Sequence, residues 1–446
     1  MTDTIFALAT APGRGALAVI RVSGPSAGEA LQALTRRPPP PRLAALRTLR
    51  APDGEDLDRA IVLWFPAPAS YTGEDCAELH LHGGPAVVEG VSAALLEARV
   101  RLAEPGEFTR RAFENGKLDL SQAEAIADLI DSETAAQARQ AVAQLEGALG
   151  VRYRRWRKVL IGALAQLEAA IDFPDEALPQ DLPASARGAL VKLLAEIDLA
   201  LDDRARGRRV RDGYRVAVIG APNAGKSSLL NALAGRSAAI VASTPGTTRD
   251  VIEVPLTIAG FRVIVADMAG MRRAAEAIER EGVRRARDWA RSADLRLWVV
   301  DGAGGVGAWR EAAPLVKPGD LCLLNKADLP PGEDAPQTRQ AAVGVGAEVI
   351  DISLRSGDAE ALLAILAARA SVDLAGSDFP AVTRARHETH LREARANLAR
   401  GIADCDEPEL AAESVRIAVR SLSRITGEVG AEDVLDLVFA SFCIGK

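Results

Sequence analysis

A glycine-rich loop constrains the fold of this 446-residue chain more than any other feature. Residues 220–227 have the sequence GAPNAGKS, which fits the pattern G-x-x-x-x-G-K-[ST]. An apolar run at 215–219 precedes the loop and a helical run at 228–233 follows it, which is the setting that the pattern requires. In such loops backbone N–H groups surround phosphates, the lysine (Lys226) reaches the β- and γ-phosphates, and the serine (Ser227) ligates Mg²⁺.

Around this loop, short apolar runs rich in β-formers alternate with helical stretches. Alternation at this spacing indicates a doubly wound parallel sheet with helices on both faces. The predicted strands are 214–219, 261–266, 295–300, 321–324 and 349–352.

Two further segments complete a phosphate site. Asp267 to Gly270 fits D-x-x-G, in which the aspartate holds Mg²⁺ from its outer shell and the glycine amide senses the γ-phosphate. Thr247 and Thr248 stand where a switch loop belongs, and Thr248 is expected to close on Mg²⁺ when the γ-phosphate is present. A polar exposed loop is the alternative interpretation of the two threonines.

The segment after the fourth predicted strand selects the base. Asn325, Lys326 and Asp328 fit N-K-x-D, and Asp328 can accept from guanine N1–H and the 2-amino group, a pair that adenine does not present. Ser353 follows the last predicted strand, where a backbone N–H is expected against guanine O6. Four motifs in this order at strand ends predict a GTPase. The predicted GTP contacts are Asn223, Ala224, Gly225, Lys226, Ser227, Ser228, Thr247, Thr248, Asp267, Gly270, Asn325, Lys326, Asp328 and Ser353.

The sequence leaves the activation of water open. Ras-like enzymes place a glutamine after D-x-x-G, but this chain has Met271 there, and a thioether cannot orient water. Glu276, Glu279 and Glu281 are the acidic candidates downstream. A solvated helix face is the alternative interpretation of each.

Composition excludes several classes of protein. The net charge of −7 argues against polyanion binding by the whole surface, and four scattered cysteines with four histidines predict neither a disulfide framework nor a zinc site. Without an apolar run near the roughly 20 residues that span a bilayer, and with no basic signal-peptide start, a soluble cytoplasmic protein is expected. Four basic clusters are interpreted as solvated helix faces in preference to an RNA groove: 152–158, 204–211, 284–291 and 384–392.

The rest of the chain predicts an α+β N-terminal domain and a helical domain into which the α/β domain is inserted. Helical periodicity between 121 and 174 predicts one long helix or two, broken near Gly147 and Gly150. Ser121 to Glu124 has the spacing of a capping box. The predicted domains are 1–118, 119–212, 213–373 and 374–446.

In addition to the glycine-rich loop (the P-loop), short motifs along the chain carry a family resemblance. They are APGRG at 11–15, RVSG at 21–24, SYTGED at 70–75, HGG at 82–84, PGEFT at 105–109, NGKLDL at 115–120, GTTRD at 246–250 and CIGK at 443–446. With them the chain resembles, over nearly its full length, the bacterial tRNA-modification GTPase family MnmE (TrmE). That family has a folate-binding-like N-terminal domain, a helical domain and an inserted Ras-like G domain.

The resemblance implies a function. The N-terminal domain would form a homodimer and bind 5-formyltetrahydrofolate through Arg21, Glu78, Lys117 and Lys446. Hydrolysis of GTP to GDP and phosphate would serve a heterotetramer with the FAD-containing subunit MnmG (GidA). This complex would modify the wobble uridine (U34) of tRNA at C5, giving an aminomethyl or carboxymethylaminomethyl product. GTP-dependent pairing of G domains is implied as well.

The resemblance also implies how hydrolysis is assisted. K⁺ would replace an arginine finger, held by Asn223 and by the segment of Ala242, Thr244 and Thr247, while Mg²⁺ is held by Ser227 and Thr248. Glu279 falls at the family's water-orienting position. Met268 stands where the family has threonine, with little expected loss because the motif acts through Asp267 and Gly270.

Cys443 has three interpretations. A prenylation box fits poorly with the glycine and lysine that follow, a structural thiol is the plain alternative, and the resemblance favours a catalytic role beside the folate, with Lys446 lowering the thiol pKa. Two rival functions are a regulatory GTPase of ribosome assembly, without a folate site, and a dynamin-like protein, which needs a membrane-insertion element that the sequence lacks.

Overall fold

The computed structural model describes residues 3–173, 182–236, 252–267, 288–304, 316–374 and 382–428, together with 438, 439, 442 and 445. The chain forms two compact units. One comprises residues 1–127, 144–194 and 390–446, and the other comprises 128–143 and 195–389. Among the described helices, none is both long enough and apolar enough to cross a membrane.

The N-terminal domain is a six-stranded sheet of order β3-β4-β5-β2-β1-β6. Neighbouring strands are antiparallel except β1 and β6, which are parallel. Its elements are β1 Ile5–Leu8, β2 Ala18–Ser23, α1 Ala27–Thr35, β3 Ala45–Arg50, β4 Asp56–Phe65, β5 Cys76–Leu81, α2 Pro85–Glu97, β6 Arg101–Leu102 and α3 Glu107–Glu114.

Alternation along β2 explains how this sheet is covered. Ile20 and Val22 point into a core that α1 and α2 close with side chains such as Leu31 and Leu95. Because successive strand residues face opposite sides, Arg21 belongs to the other face. An antiparallel sheet with one face packed on helices leaves its second face for other contacts.

The helical segment between residues 120 and 172 contains three helices, so the prediction of one or two is wrong. A Gly147 φ of +91° ends the second helix and begins the third, near the predicted break. The additional break follows α4, at 131–134. The helices are α4 Leu120–Ile130, α5 Ala135–Leu145, α6 Ala148–Asp172, α7 Leu182–Asp202 and α8 Arg204–Asp212.

Two capping boxes explain where these helices start. The first uses Asp119 and Gln122, not Ser121 and Glu124 as predicted: the Gln122 N–H donates to Asp119 Oδ1, and the Asp119 N–H donates to Gln122 Oε1, both at 2.9 Å. In the second, the Thr134 N–H donates to the side-chain oxygen of Gln137 (3.1 Å). The extra helix break thus had a T-x-x-Q signal in the sequence.

The G domain is a six-stranded sheet of order β12-β11-β10-β7-β9-β8, parallel except for the antiparallel pair of β8 and β9. All five predicted strands are present, and edge strand β8 was not predicted. Buried clusters cover both faces of the sheet. Its elements are β7 Tyr214–Gly220, α9 Lys226–Arg236, β8 Ile252–Ile258, β9 Phe261–Asp267, β10 Leu295–Asp301, β11 Leu321–Asn325, α10 Ala335–Gly344, β12 Glu348–Ile352 and α11 Ala359–Leu374.

The G domain is an insertion into the helical domain. Its first strand and last helix meet where the Tyr214 hydroxyl donates to Asp373 Oδ2 (2.7 Å). After it the chain forms α12 Ala385–Ala403 and α13 Pro408–Thr426. Helix α13 packs on α6, which precedes the insertion, and Arg157 Nε donates to Ser423 Oγ (3.0 Å) across this contact. The structure therefore confirms the predicted α+β, helical and inserted α/β architecture.

Candidate functional site

The glycine-rich loop joins β7 to α9. Asn223 has φ +62° and Gly225 has φ +109°, so the loop turns through two residues with positive φ. Lys226 is 7% exposed, and its Nζ donates to the carbonyl oxygens of Gly220 (2.9 Å) and Ala221 (2.8 Å). The ammonium group is therefore held within the loop, where bound phosphates bring negative charge.

The first turn of α9 carries Ser227 and Ser228, and a helix N-terminus favours an anion through its free N–H groups. The base side of the site is tied to this loop, because Asn325 Nδ2 donates to the Ala224 carbonyl (2.8 Å). A Cβ on Gly225 would lie 2.1 Å from that same Nδ2. Only glycine allows this approach between the two motifs.

Asp328 lies exposed after β11, with its carboxylate accepting from the Ser353 hydroxyl (2.7 Å). This hydrogen bond lowers the pKa of Asp328, so the side chain stays ionised and can accept from a guanine. The backbone N–H of Ser353, which was predicted to face guanine O6, donates to Asp358 Oδ2 (2.7 Å) in this structure. Through its hydroxyl, Ser353 orients the Asp328 carboxylate.

Asp301 belongs to the site and was not predicted. It ends β10 directly opposite Asn325 in the sheet register, and its Oδ2 accepts from Lys326 Nζ (2.5 Å). Lys326 has φ +66°, so its backbone is held in an uncommon conformation beside this ion pair. Asp301 follows the third predicted strand (295–300) and belongs to no motif, so its contact with Lys326 appears only from the register of β10 and β11.

Asp267 ends β9, opposite Val218 of β7, which places it next to the strand that leads into the P-loop. The described residues thus bring the P-loop, Asp267 and N-K-x-D to one edge of the sheet. Eight predicted site residues lie outside the described residues: Ala242, Thr244, Thr247, Thr248, Gly270, Glu279, Cys443 and Lys446.

A second group of predicted residues meets on the face of the N-terminal sheet that α1 and α2 leave uncovered. Arg21 and Glu78 are paired in register between β2 and β5, and Arg21 Nη2 donates to Glu78 Oε1 (2.9 Å). The Arg21 guanidinium lies 5.1 Å from the Tyr71 ring centroid and 5.8 Å from that of Phe108. His80 Nε2 is 3.4 Å from the second carboxylate oxygen of Glu78.

Lys117 is not joined to this pair in the structure. Its Nζ donates to the Pro68 carbonyl (3.0 Å), and its side chain lies against Gly73, so it borders the loop that carries Tyr71. Gly445 packs against the end of β1: a Cβ there would lie 2.3 Å from the Leu8 carbonyl oxygen. The C-terminal motif therefore touches β1, next to β2.

A buried ion network lies beside this face, and the sequence did not predict it. Arg111, 5% exposed, donates to Asp3 (2.9 Å), Glu107 (2.9 Å) and Glu74 (3.2 Å). Burial opposes the charge of Glu107, yet hydrogen bonds from Arg101 and Arg111 hold its pKa below the usual value. The SYTGED and PGEFT motifs supply Glu74 and Glu107, so these motifs serve the architecture of the domain as well as its surface.

Comparison with known proteins covers the whole chain. A model of the MnmE helical domain matches residues 120–443, and a model of the GTP-binding protein TrmE N-terminus matches residues 4–117. The chain is 58% identical to a protein of Caulobacter vibrioides and 55% identical to one of Phenylobacterium zucineum, with 100% of each chain covered. A protein of Paramagnetospirillum magneticum is 51% identical over the same full coverage. All three are named tRNA modification GTPase MnmE.

Three observations agree with one another. The nucleotide motifs meet at one sheet edge, family models match the N-terminal and helical domains, and the identity to these relatives exceeds 50% over the full length. The chain therefore belongs to the MnmE family and is a GTPase that acts in tRNA modification.

Proposed function

We propose that GTP hydrolysis by this protein drives modification of the wobble uridine U34 at C5, giving a 5-carboxymethylaminomethyl or aminomethyl uridine. The protein acts in the cytoplasm as a homodimer, in a heterotetramer with the FAD-containing subunit MnmG (GidA), on tRNA. The observation that carries the N-terminal part of this proposal is the Arg21–Glu78 pair on the sheet face opposite α1 and α2, beside Phe108 of α3. The boundaries at 118, 212 and 373 are proposed for its domains.

The residues on this face suit a folate. A glutamate tail offers carboxylates to Arg21 or to lysines, and a pterin offers N–H donors to Glu78. Tyr71 and Phe108 add aromatic surface beside the guanidinium. When bound, 5-formyltetrahydrofolate or a related one-carbon folate supplies a carbon for the new C5 substituent. In this proposal Arg21, Glu78, Lys117 and Lys446 hold and orient it.

Titration with 5-formyltetrahydrofolate tests the proposal. The native protein is expected to bind it, and Arg21→Gln is expected to weaken binding by about tenfold, because a charge-assisted hydrogen bond is lost. Calorimetry measures both affinities. In cells, the same variant expressed in place of the native protein should lower the fraction of C5-modified U34, measured by mass spectrometry of tRNA.

Arg50→Gln is the matched control, since Arg50 also forms an ion pair on this sheet, with Asp56 (2.7 Å), but away from Arg21. Its folate affinity should equal that of the native protein. Absence of folate binding by the native protein would contradict the proposal and favour a regulatory GTPase of ribosome assembly.

The hydrolysis site requires cations. We propose that Ser227 and Thr248 ligate Mg²⁺, and that Asn223, with the segment of Ala242, Thr244 and Thr247, holds K⁺. Asn223 is exposed in the loop, so its side-chain oxygen is accessible to a monovalent cation, which would neutralise charge between the β- and γ-phosphates. Glu279 is proposed to orient the attacking water.

Steady-state GTP turnover checks these assignments. The rate in K⁺ is expected to exceed that in Na⁺ by about tenfold, because Na⁺ fits a shell of K⁺ size poorly. Glu279→Ala should lower kcat by about 10²-fold in K⁺ and leave GDP affinity nearly unchanged. Equal rates in the two salts would contradict the proposed potassium site. A native kcat in Glu279→Ala would contradict the proposed role of Glu279 in orienting water.

A further inference from the structure

A stretch of the N-terminal domain carries five arginines and no acidic residue between Glu29 and Asp53, in a chain whose net charge is −7. Four of the five form what we call the arginine patch: Arg36, Arg37, Arg42 and Arg47. The patch extends from the end of α1 to the middle of β3, which is the edge strand of the sheet.

The backbone of the patch is fixed. Arg36 ends α1 with φ +56°, and its N–H donates to the Gln32 carbonyl (2.8 Å). Residues 38–41 are four prolines, which restrict φ and stiffen the loop. Arg42 follows with φ +61°, and its N–H donates to the Trp64 carbonyl (2.8 Å). The loop therefore has one defined path along the sheet edge.

Two of the four guanidinium groups of the patch donate to backbone carbonyls, which are neutral. Arg47 Nε donates to the Arg37 carbonyl (2.9 Å), and Arg42 donates to the Ala69 carbonyl and lies 6.0 Å from the Phe65 ring centroid. Arg36 and Arg37 are exposed. Within the described part of the chain, none of the four is in an ion pair with a carboxylate. Carbonyl contacts hold Arg42 and Arg47, Arg36 and Arg37 are exposed, and the charge of all four is left uncompensated.

The basic clusters singled out in the sequence behave differently. Among the described residues of these clusters, eight arginines are paired with carboxylates, which supports the interpretation as helix faces. The pairs are Arg154–Asp119, Arg157–Glu428, Arg204–Glu388, Arg206–Asp203, Arg209–Asp294, Arg211–Asp212, Arg291–Asp288 and Arg384–Asp128.

Asp75 accepts from the Ala67 N–H (2.8 Å), in the turn that Arg42 contacts at Ala69, and Asp56 and Asp58 lie at the opposite end of the β3–β4 hairpin. Asp56 is paired there with Arg50 (2.7 Å), and Asp58 accepts from His82 (2.7 Å). Arg50 is three residues beyond Arg47, which is about 10 Å along a strand. The hairpin therefore has a basic end and an acidic end.

We propose that the arginine patch binds the phosphate backbone of tRNA. The protein acts on tRNA, a polyanion, although its net charge is −7, so a direct contact with tRNA requires a local cationic surface. Guanidinium groups suit phosphates because their planar N–H forks donate two hydrogen bonds at once. Arg42 and Arg47 are already held by backbone carbonyls, which lowers the entropy that binding costs at these two side chains.

Fluorescence anisotropy with a fluorescein-labelled tRNA transcript tests the proposal on the full chain. The variant Arg36→Gln/Arg37→Gln/Arg42→Gln is expected to bind about tenfold more weakly near 0.1 M salt. The slope of log affinity against log salt should fall by about 2 to 3, because each phosphate contact contributes about 0.7 to 0.9.

The matched control removes three arginines that are paired with carboxylates: Arg110→Gln/Arg339→Gln/Arg369→Gln. It changes the net charge equally and should keep the native affinity and slope. Equal losses in both triple variants would overturn the proposal, since they would reflect net charge alone. The lysine variant Arg36→Lys/Arg37→Lys/Arg42→Lys should retain the salt slope, and its failure to do so would also overturn the proposal.

Phenylglyoxal, which modifies arginine side chains, tests the native protein directly, so the result does not depend on the folding of a variant. Bound tRNA is expected to protect the patch arginines, and GDP is not. The proposal would be overturned if bound tRNA left the labelling of the patch unchanged. It would also be overturned if the glutamine variant bound tRNA with native affinity but bound the flavoprotein subunit more weakly, because the surface would then serve a protein contact. Failure of the folate titration has no bearing on these outcomes.

Discussion

Asp328→Asn is expected to change the base preference of the protein from guanine to xanthine. The carboxylate of Asp328 can accept from guanine N1–H and the 2-amino group, whereas an asparagine amide presents an N–H that opposes the amino group and matches the carbonyl of xanthine. A site built for one hydrogen-bond pattern rejects the other strongly, so GDP affinity should fall by about 10³-fold while xanthosine diphosphate gains affinity. Equilibrium titration with fluorescent nucleotides measures both.

Asp351→Asn is the control for this exchange, since Asp351 is an exposed carboxylate of β12 paired with Arg339 (2.7 Å) and lies outside the N-K-x-D motif. It should leave both affinities unchanged. Ser353→Ala removes the hydroxyl that holds Asp328 and should weaken GDP binding less than Asp328→Asn does. Retention of native GDP affinity by Asp328→Asn would show that the base is read elsewhere.

Gly225→Ala is expected to abolish most nucleotide binding. The φ of +109° strains an alanine, and the added Cβ would lie 2.1 Å from Asn325 Nδ2, which must then release the Ala224 carbonyl. Backbone strain and the lost hydrogen bond together cost about 4 kcal/mol, or roughly 10³-fold in GDP affinity. The same nucleotide titration measures this loss.

Gly235→Ala is the control for Gly225→Ala, because it changes a glycine in the helix that follows the same loop. Gly235 lies in α9, and a Cβ there meets nothing within 4 Å. Alanine is a better helix former than glycine, so thermal stability should rise slightly and GDP affinity should not change. Similar nucleotide loss in both variants would mean that glycine is needed for flexibility rather than for the close approach of Asn325.

Much of the nucleotide site could be predicted because its residues follow one another at strand ends. Lys226, Asp267 and Asn325 were found from local patterns, and parallel strands bring such ends to one edge. Asp301 was missed because it belongs to no motif, and only the register of β10 and β11 reveals its contact with Lys326.

The N-terminal site depended more on resemblance than on pattern. Arg21 and Glu78 are 57 positions apart, and strand alternation predicts neither their pairing nor the register that produces it. The ion network around Arg111 was missed for the same reason, since its partner Asp3 is 108 positions away. The break at 131–134 differs, because the capping signal of Thr134 and Gln137, T-x-x-Q, lies in the local sequence.

The hydrogen bond between Tyr214 and Asp373 has a consequence for the order of folding. Arg157 and Ser423, which join the two helical parts, are 266 positions apart, and Tyr214 and Asp373 are separated by 159 of these. Once the G domain has folded, the loop that the helical parts must close shortens from 266 to roughly 107 positions. Closure then costs about 0.8 kcal/mol less. Folding of the inserted G domain thus lowers the entropy cost of joining the two parts of the helical domain.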